Sequence, residues 1–155
     1  MQPSAPPAIF AVLFPLFGVL FFVGLWGAIC ALLSAMSGWR GMAALYPCPP
    51  GATGPQLKSG FASRVGWVNY RGVLTLEAAP QGLIVRVMRL FPFHAPVLIP
   101  WTAMQLTRDG GIFFAGSMQV HAGPKFGLNR EALDAIEHAR EVLLPRLQQV
   151  TPRGT

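Results

Sequence analysis

The sequence predicts an α+β protein: one N-terminal transmembrane helix, then an antiparallel β-barrel of about seven short strands, capped by a C-terminal helix. Three observations predict it. The first 39 of the 155 residues carry no charged side chain. After Gly60 the apolar residues fall into runs of strand length, broken by turn signals. From Asn129 onward they recur every three or four positions, the period of an amphipathic helix. Composition agrees: 52% of residues are hydrophobic and 12% charged, about half the usual charged share. That balance excludes a purely soluble globule, a disordered chain and a disulfide-stapled secreted domain. The expected organisation is a tail over 1–7, the membrane helix over 8–36, a juxtamembrane segment and linker over 37–60, the domain over 61–150 and a tail over 151–155.

The membrane helix comes first. Residues 8–36 would form a helix about 44 Å long at ~1.5 Å per residue, against a hydrocarbon core of ~30 Å. Their Leu, Ile, Phe and Val side chains favour insertion by roughly −5 to −10 kcal/mol. No basic residue precedes Ala8, and the run is about twice the length of a signal-peptide core, so a cleaved signal fits poorly. Pro15 predicts a kink or the first turn. Arg40, Lys58 and Arg64 follow the span, which puts the N-terminus outside and the domain in the cytoplasm, at the cell's inner membrane. Gly24, Ala28, Ala31 and Ala35 form a stripe of small residues, with Gly27 and Ser34 beside it. Such a stripe is a candidate seam for a second copy or another membrane protein.

Four Pro and three Gly in residues 47–60 predict a linker without regular structure. Cys30 lies in the span and Cys48 beyond it, so the two are not expected to bond. Strands are predicted over 61–68, 71–77, 82–91, 96–101, 103–108, 111–115 and 117–122. Turns are expected at Asn69-Tyr70, Ala79-Pro80-Gln81-Gly82, Asp109-Gly110-Gly111 and Gly116-Ser117. In 71–77, Leu74 and Leu76 alternate with Val73, Thr75 and Glu77. Pro100 marks an edge, a bulge or a corner. The final helix has Asn129 as N-cap, Glu131 and Asp134 in its first turns, and a stripe of Leu133, Ile136, Ala139, Leu143, Leu147 and Val150. Pro145 should kink or end it.

Short strands followed by one amphipathic helix resemble the pleckstrin-homology superfold, including bacterial PH-like and GRAM-like domains. More narrowly, SGW at 37–39, LY at 45–46 and FHAPVLIPW at 93–101 resemble small bacterial single-pass membrane proteins of unknown function, over roughly residues 8–145. The resemblance implies a membrane helix leading into a PH-like domain, with no catalytic residues to carry over. The chain has no basic pair in a first-strand loop, so inositol-phosphate binding is not expected.

Reactive constellations are sparse. Before the final helix the only carboxylates are Glu77 and Asp109, too isolated for a general acid/base pair. No Gly-rich phosphate loop and no zinc-type Cys/His spacing occurs. His94, His121 and His138 are scattered. The expectation is a protein that is not an enzyme and uses no cofactor or metal.

Charge says more. Residues 40–127 carry a net +6, while the segment from 128 is neutral. A basic domain tethered at an anionic leaflet gains about 1 kcal/mol per basic residue near the surface. The turn Phe91-Pro92-Phe93-His94-Ala95-Pro96 puts two Phe where polar turn residues are usual. Arg86, Arg89, Phe91, Phe93 and His94 are therefore the candidate membrane or partner surface, although alternation sets Arg86 and Arg89 on opposite faces. The turn either dips into the membrane or folds back onto the barrel or Trp101. The lipid bilayer is the expected partner, with a second membrane protein or a second copy at the small-residue seam. Nucleic acid is not expected, for no aromatic residues interleave with the basic ones. The functional expectation is a membrane-anchored, non-catalytic binding module, an accessory or interaction protein at the cytoplasmic face. The alternative is a lipid- or small-molecule-responsive sensor using the barrel.

Overall fold

The computed structural model describes residues 8–109 and 114–150. Its first element, α1 (Ala8–Met36), contains Pro15 without interruption. Among the described residues it is the one helix long and apolar enough to cross a membrane, over Val12–Met36 with mean hydropathy 2.5. Phe14 is 82% exposed, and Phe17 and Phe22 are 70% exposed. Over most of its length up to Trp26 the helix is apolar and exposed, as a membrane-crossing or a signal segment would be.

Gly38, at φ +74°, turns the chain out of α1 and into α2 (Trp39–Leu45), which buries Trp39 and Met42. The strands are β1 (Gln56–Ser59), β2 (Ala62–Val65), β3 (Val68–Arg71), β4 (Leu74–Ala79), β5 (Gly82–Val87), β6 (Val97–Pro100), β7 (Met104–Thr107), β8 (Gly116–Val120) and β9 (Lys125–Leu128). A 3₁₀ turn at Trp101–Ala103 joins β6 to β7, and α3 (Arg130–Val150) ends the fold. The strands form two antiparallel sheets, ordered β1-β4-β5-β6 and β3-β2-β9-β8-β7.

Several expectations need correction. The nine strands form two sheets, of four and five, rather than one barrel of about seven strands. The chain changes sheet three times: at Gly60, at φ +65°, at Gly72, at φ +71°, and at the Trp101 corner. Residues 37–60 are not wholly a linker. Trp39 and Met42 lie three apart and bury together, which makes α2. The Pro-free stretch Gln56–Ser59 pairs with β4, matching Lys58 to Leu76 and Ser59 to Thr75. The expected strand 61–68 is two strands, because Gly66, at φ +56°, makes a turn inside it. Asn69 and Tyr70 consequently lie within β3 rather than in a turn. The expected strand 82–91 stops at Val87. Residues 111–113 of the expected strand 111–115, and residues 110–111 of the Asp-Gly-Gly turn, lie outside the described residues, as do the tails 1–7 and 151–155. Phe114 and Ala115 belong to no strand.

Other expectations hold. Leu74 and Leu76 are buried while Thr75 and Glu77 are half-buried. Pro100 sits on an edge strand and immediately before a corner. Asn129 Oδ1 accepts the Ala132 N–H over 3.0 Å, capping α3. Leu133, Ile136 and Ala139 are buried, Leu143 is half-buried, and the helix continues through Pro145. The side chains of Leu147 and Val150 lie outside the described residues. α3 packs on β1 of one sheet and β8 of the other, so one helix bridges both. Lys58 and Glu131 form an ion pair, and Arg108 pairs with Asp134 and Glu137.

Candidate functional site

The segment Met88–Pro96 leaves β5 and returns as β6. Its start is fixed by Met88 N–H donating to Val73 O over 2.8 Å and Phe91 N–H to Met88 O over 3.0 Å. The segment folds neither onto Trp101 nor freely outward. It lies along the last third of α1. Trp26 Nε1 donates to Leu90 O over 2.9 Å, and Ser34 Oγ to Phe93 O over 2.8 Å. Trp39 Nε1 donates to Ala95 O over 2.8 Å. The Trp26 and Phe91 rings meet at 5.3 Å between centroids. Trp101 is instead buried in the core, donating to Ala79 O. Phe93 takes φ +67°, a left-handed conformation that costs a non-glycine residue about 1–2 kcal/mol. The Ser34 bond to its carbonyl helps to hold it there.

Beneath the loop lies a buried polar cluster. The Tyr70 hydroxyl is 3.0 Å from Ser37 Oγ and 2.9 Å from His94 Nε2. His94 Nδ1 is 3.0 Å from Pro92 O. A carbonyl only accepts, so Nδ1 carries the proton and the neutral ring offers Nε2 to the Tyr70 O–H. Burial pushes His94 below the ordinary histidine value, opposed by backbone hydrogen bonds at Pro92 and Phe91. Burial also pushes Tyr70 up, against a hydrogen bond with Ser37. The Tyr70 and His94 rings meet edge to face at 5.6 Å, and Trp39 lies within 6.0 Å of both.

Beside these contacts a cleft of about 810 Å³ opens between the loop, the end of β5 and the two helices. Ala31 of α1 and Arg40 and Ala43 of α2 form one wall; Arg86, Val87, Arg89 and the 91–96 turn form the other. No carboxylate lines it. Arg86 is committed, bonding Glu77 Oε1 over 3.0 Å and the Ala52 carbonyl. Arg40 and Arg89 are exposed, and among the described residues neither has a carboxylate within 4.0 Å. Lys58, Arg108 and Lys125 are neutralised by Glu131, by Asp134 with Glu137, and by Asp109. Arg64 and Arg71, on β2 and β3, likewise have no carboxylate within 4.0 Å among the described residues, so the unpaired charge is divided between the cleft and that hairpin.

The candidate surface residues thus come together around one loop, but in different settings. Arg89 and Phe93 are exposed, Phe91 is half-buried against Trp26, His94 is buried, and Arg86 is ion-paired. Along the small-residue stripe Gly24, Ala28 and Ala35 are exposed, whereas Ala31 lines the cleft. Ser34 faces the loop, and a Cβ on Gly27 would lie 4.0 Å from the Phe93 ring. Sequence reasoning missed Trp26, Ser34, Ser37, Arg40 and Tyr70 as parts of this site. A signal was present: Trp26, Cys30, Ser34 and Ser37 recur at spacings of four, four and three, which aligns them on one helix face. Cys30, Ser34 and Ser37 are all buried there. No family model matches the sequence, and no curated protein and no solved structure is found to be similar to it.

Proposed function

We propose that the chain is a single-pass inner-membrane protein whose PH-like domain works by binding at the cytoplasmic face, without catalysis. One observation carries the reading: the domain is seated on its own apolar helix through Trp26, Ser34 and Trp39, which fixes the Met88–Pro96 loop beside α1. An anchor that were only a cleavable leader would have no use for those contacts. Cleavage just after Ser34 would strip both Cys30 and Ser34 from a buried face. The PH-like assignment is supported by the element order and by a terminal helix that touches both sheets. The non-catalytic reading is supported by the use of the two isolated carboxylates. Glu77 holds Arg86, and Asp109 accepts from Ser117 Oγ and faces Lys125.

A second reading, a lipid-responsive sensor, is favoured by the position of the cleft. The space between the sheets is filled by Trp39, Trp101, Phe126 and their neighbours, so a ligand would sit outside the core, beside α1. Partners at Gly24, Ala28 and Ala35 belong to the accessory-protein reading.

The test is membrane fractionation with topology. The full chain should resist an alkaline wash and keep residues 8–36 by intact mass. A reporter fused after Thr155 should work only in the cytoplasm. A mature chain lacking α1 would overturn the anchor, and an active periplasm-dependent reporter would overturn the orientation.

A further inference from the structure

We propose that the cleft between α1–α2 and the Met88–Pro96 loop binds the phosphate headgroup of an anionic membrane phospholipid, with Arg40 and Arg89 as its ligands. This deepens the membrane-anchored reading above and rests on it. Charge is the first argument. Arg40 from α2 and Arg89 from the loop both line a cleft that has no carboxylate in its lining, and neither has an acidic partner among the described residues. Guanidinium groups match phosphate oxygens in charge and in bidentate geometry. Arg86 completes the wall but is held by Glu77, so it adds field rather than a free ligand.

Depth is the second argument. At ~1.5 Å per residue, 20 residues from Val12, where the membrane-crossing stretch begins, reach Ala31 and fill a hydrocarbon core of ~30 Å. Trp26 then lies about 7–8 Å inside that boundary, with its indole N–H satisfied by Leu90 O. Ala31, which lines the cleft, stands at the boundary itself, next to the headgroups. The loop carries its own apolar side chains at this depth. Met88, Leu90 and Phe93 are exposed by 52%, 66% and 60%. An amphiphile fits both features, with its phosphate between the arginines and its chains against α1 and the loop. An acidic peptide would satisfy the charges but not the apolar rim beside the span. At about 810 Å³ the cleft lies within the size range of small-ligand sites, ~300–1,000 Å³.

The experiment is native mass spectrometry of the full chain released from nanodiscs holding equal parts of phosphatidylglycerol and phosphatidylcholine. The wild-type chain should retain phosphatidylglycerol in preference. Arg40→Gln with Arg89→Gln should lower that preference by about tenfold or more, with thermal unfolding unchanged because both side chains are exposed. Arg130→Gln with Arg140→Gln removes the same charge from α3 and should leave the preference intact. Equal retention of the two lipids by the wild type would overturn the proposal. So would equal losses in both double variants, which would mean diffuse attraction. Binding of inorganic phosphate by the lipid-free chain in detergent, with no lipid preference, would also overturn it by replacing the lipid with a free anion. None of these outcomes touches the anchor, which fails if the chain leaves the membrane in the alkaline wash or its mature form lacks α1.

Discussion

Trp26 Nε1 donates to Leu90 O over 2.9 Å, joining residues 64 positions apart and tying the apolar helix to the loop between β5 and β6. Ser34 makes the same kind of link about two turns later, to Phe93 O over 2.8 Å. The loop backbone is thus held by side chains of α1.

Loosening these links should open the loop. Trp26→Phe keeps a ring against Phe91 but removes the donor. Ser34→Ala removes the other donor. Each loss costs about 0.5–1.5 kcal/mol. In the full chain in detergent, the double variant should melt earlier, and trypsin should cut after Arg89 faster than in the wild type. An unchanged rate of cleavage would mean that the loop does not depend on α1.

The β2–β3 turn tests how closely the domain approaches the end of the helix. Gly66 has φ +56°, and a Cβ there would lie 2.9 Å from Ser37 O. Gly72 has φ +71°, with nothing within 4 Å of its Cβ position. Both Ala variants bear backbone strain of about 1–2 kcal/mol. Only Gly66→Ala also displaces the junction of α1 and α2. Chemical denaturation should therefore show Gly66→Ala clearly less stable than Gly72→Ala. Equal losses would argue against the close contact.

His94 makes stability depend on pH. Its folded value is held below the ordinary one, chiefly by burial. As pH falls through about 6.5, the unfolded chain takes up the proton first. In that window the unfolded state binds more protons, so stability rises with pH. The contribution is complete above about 6.5 and is lost as pH falls toward the folded value. Protonation would also force Nε2 to donate to Tyr70, reversing the hydrogen bond between them. Urea titrations at neutral and mildly acidic pH should show the decline in the wild type and a shallower one in His94→Gln.

Local chemistry was readable in the sequence, and long-range partners were not. The uncharged run before Arg40, the Leu74/Leu76 alternation, the Asn129 cap and the Leu133–Ile136–Ala139 stripe each depend on neighbours within a few residues. Pro100 also speaks locally, through its missing N–H. The strand β9 was hidden because Gly127 interrupts it and Gly123-Pro124 precedes it, although Phe126 and Leu128 alternate correctly. Arg86 could be picked out as basic, but its pairing with Glu77 follows from the register that sets Thr75 against Arg86 and Glu77 against Ile84. The site itself depends on contacts between α1 and residues some 60 positions later, which no local pattern encodes.

The last prediction concerns the helix that bridges the sheets. Ile136 is fully buried, in a cluster with Leu133, Phe126 and Leu128, while Leu143 is half-buried. Ile136→Asp places a carboxylate where no cation is packed. The nearest described ion pairs of α3, at Glu131, Asp134 and Glu137, lie on its outer side with Lys58 and Arg108. An unpaired buried charge costs several kcal/mol, comparable to the whole stability of a domain of about 100 residues. Leu143→Asp should cost less, because water reaches that position. Ile136→Val removes one methylene and should cost about 0.5–1.5 kcal/mol. Thermal unfolding of the full chain followed by circular dichroism should rank the three as Ile136→Asp, Leu143→Asp, Ile136→Val, from most to least damaging. In that ranking the apolar helix α1 contributes a constant helical signal, so the loss must be read from the β-sheet and near-ultraviolet bands. An Ile136→Asp chain that melts with the wild type would mean that α3 does not close the space between the two sheets.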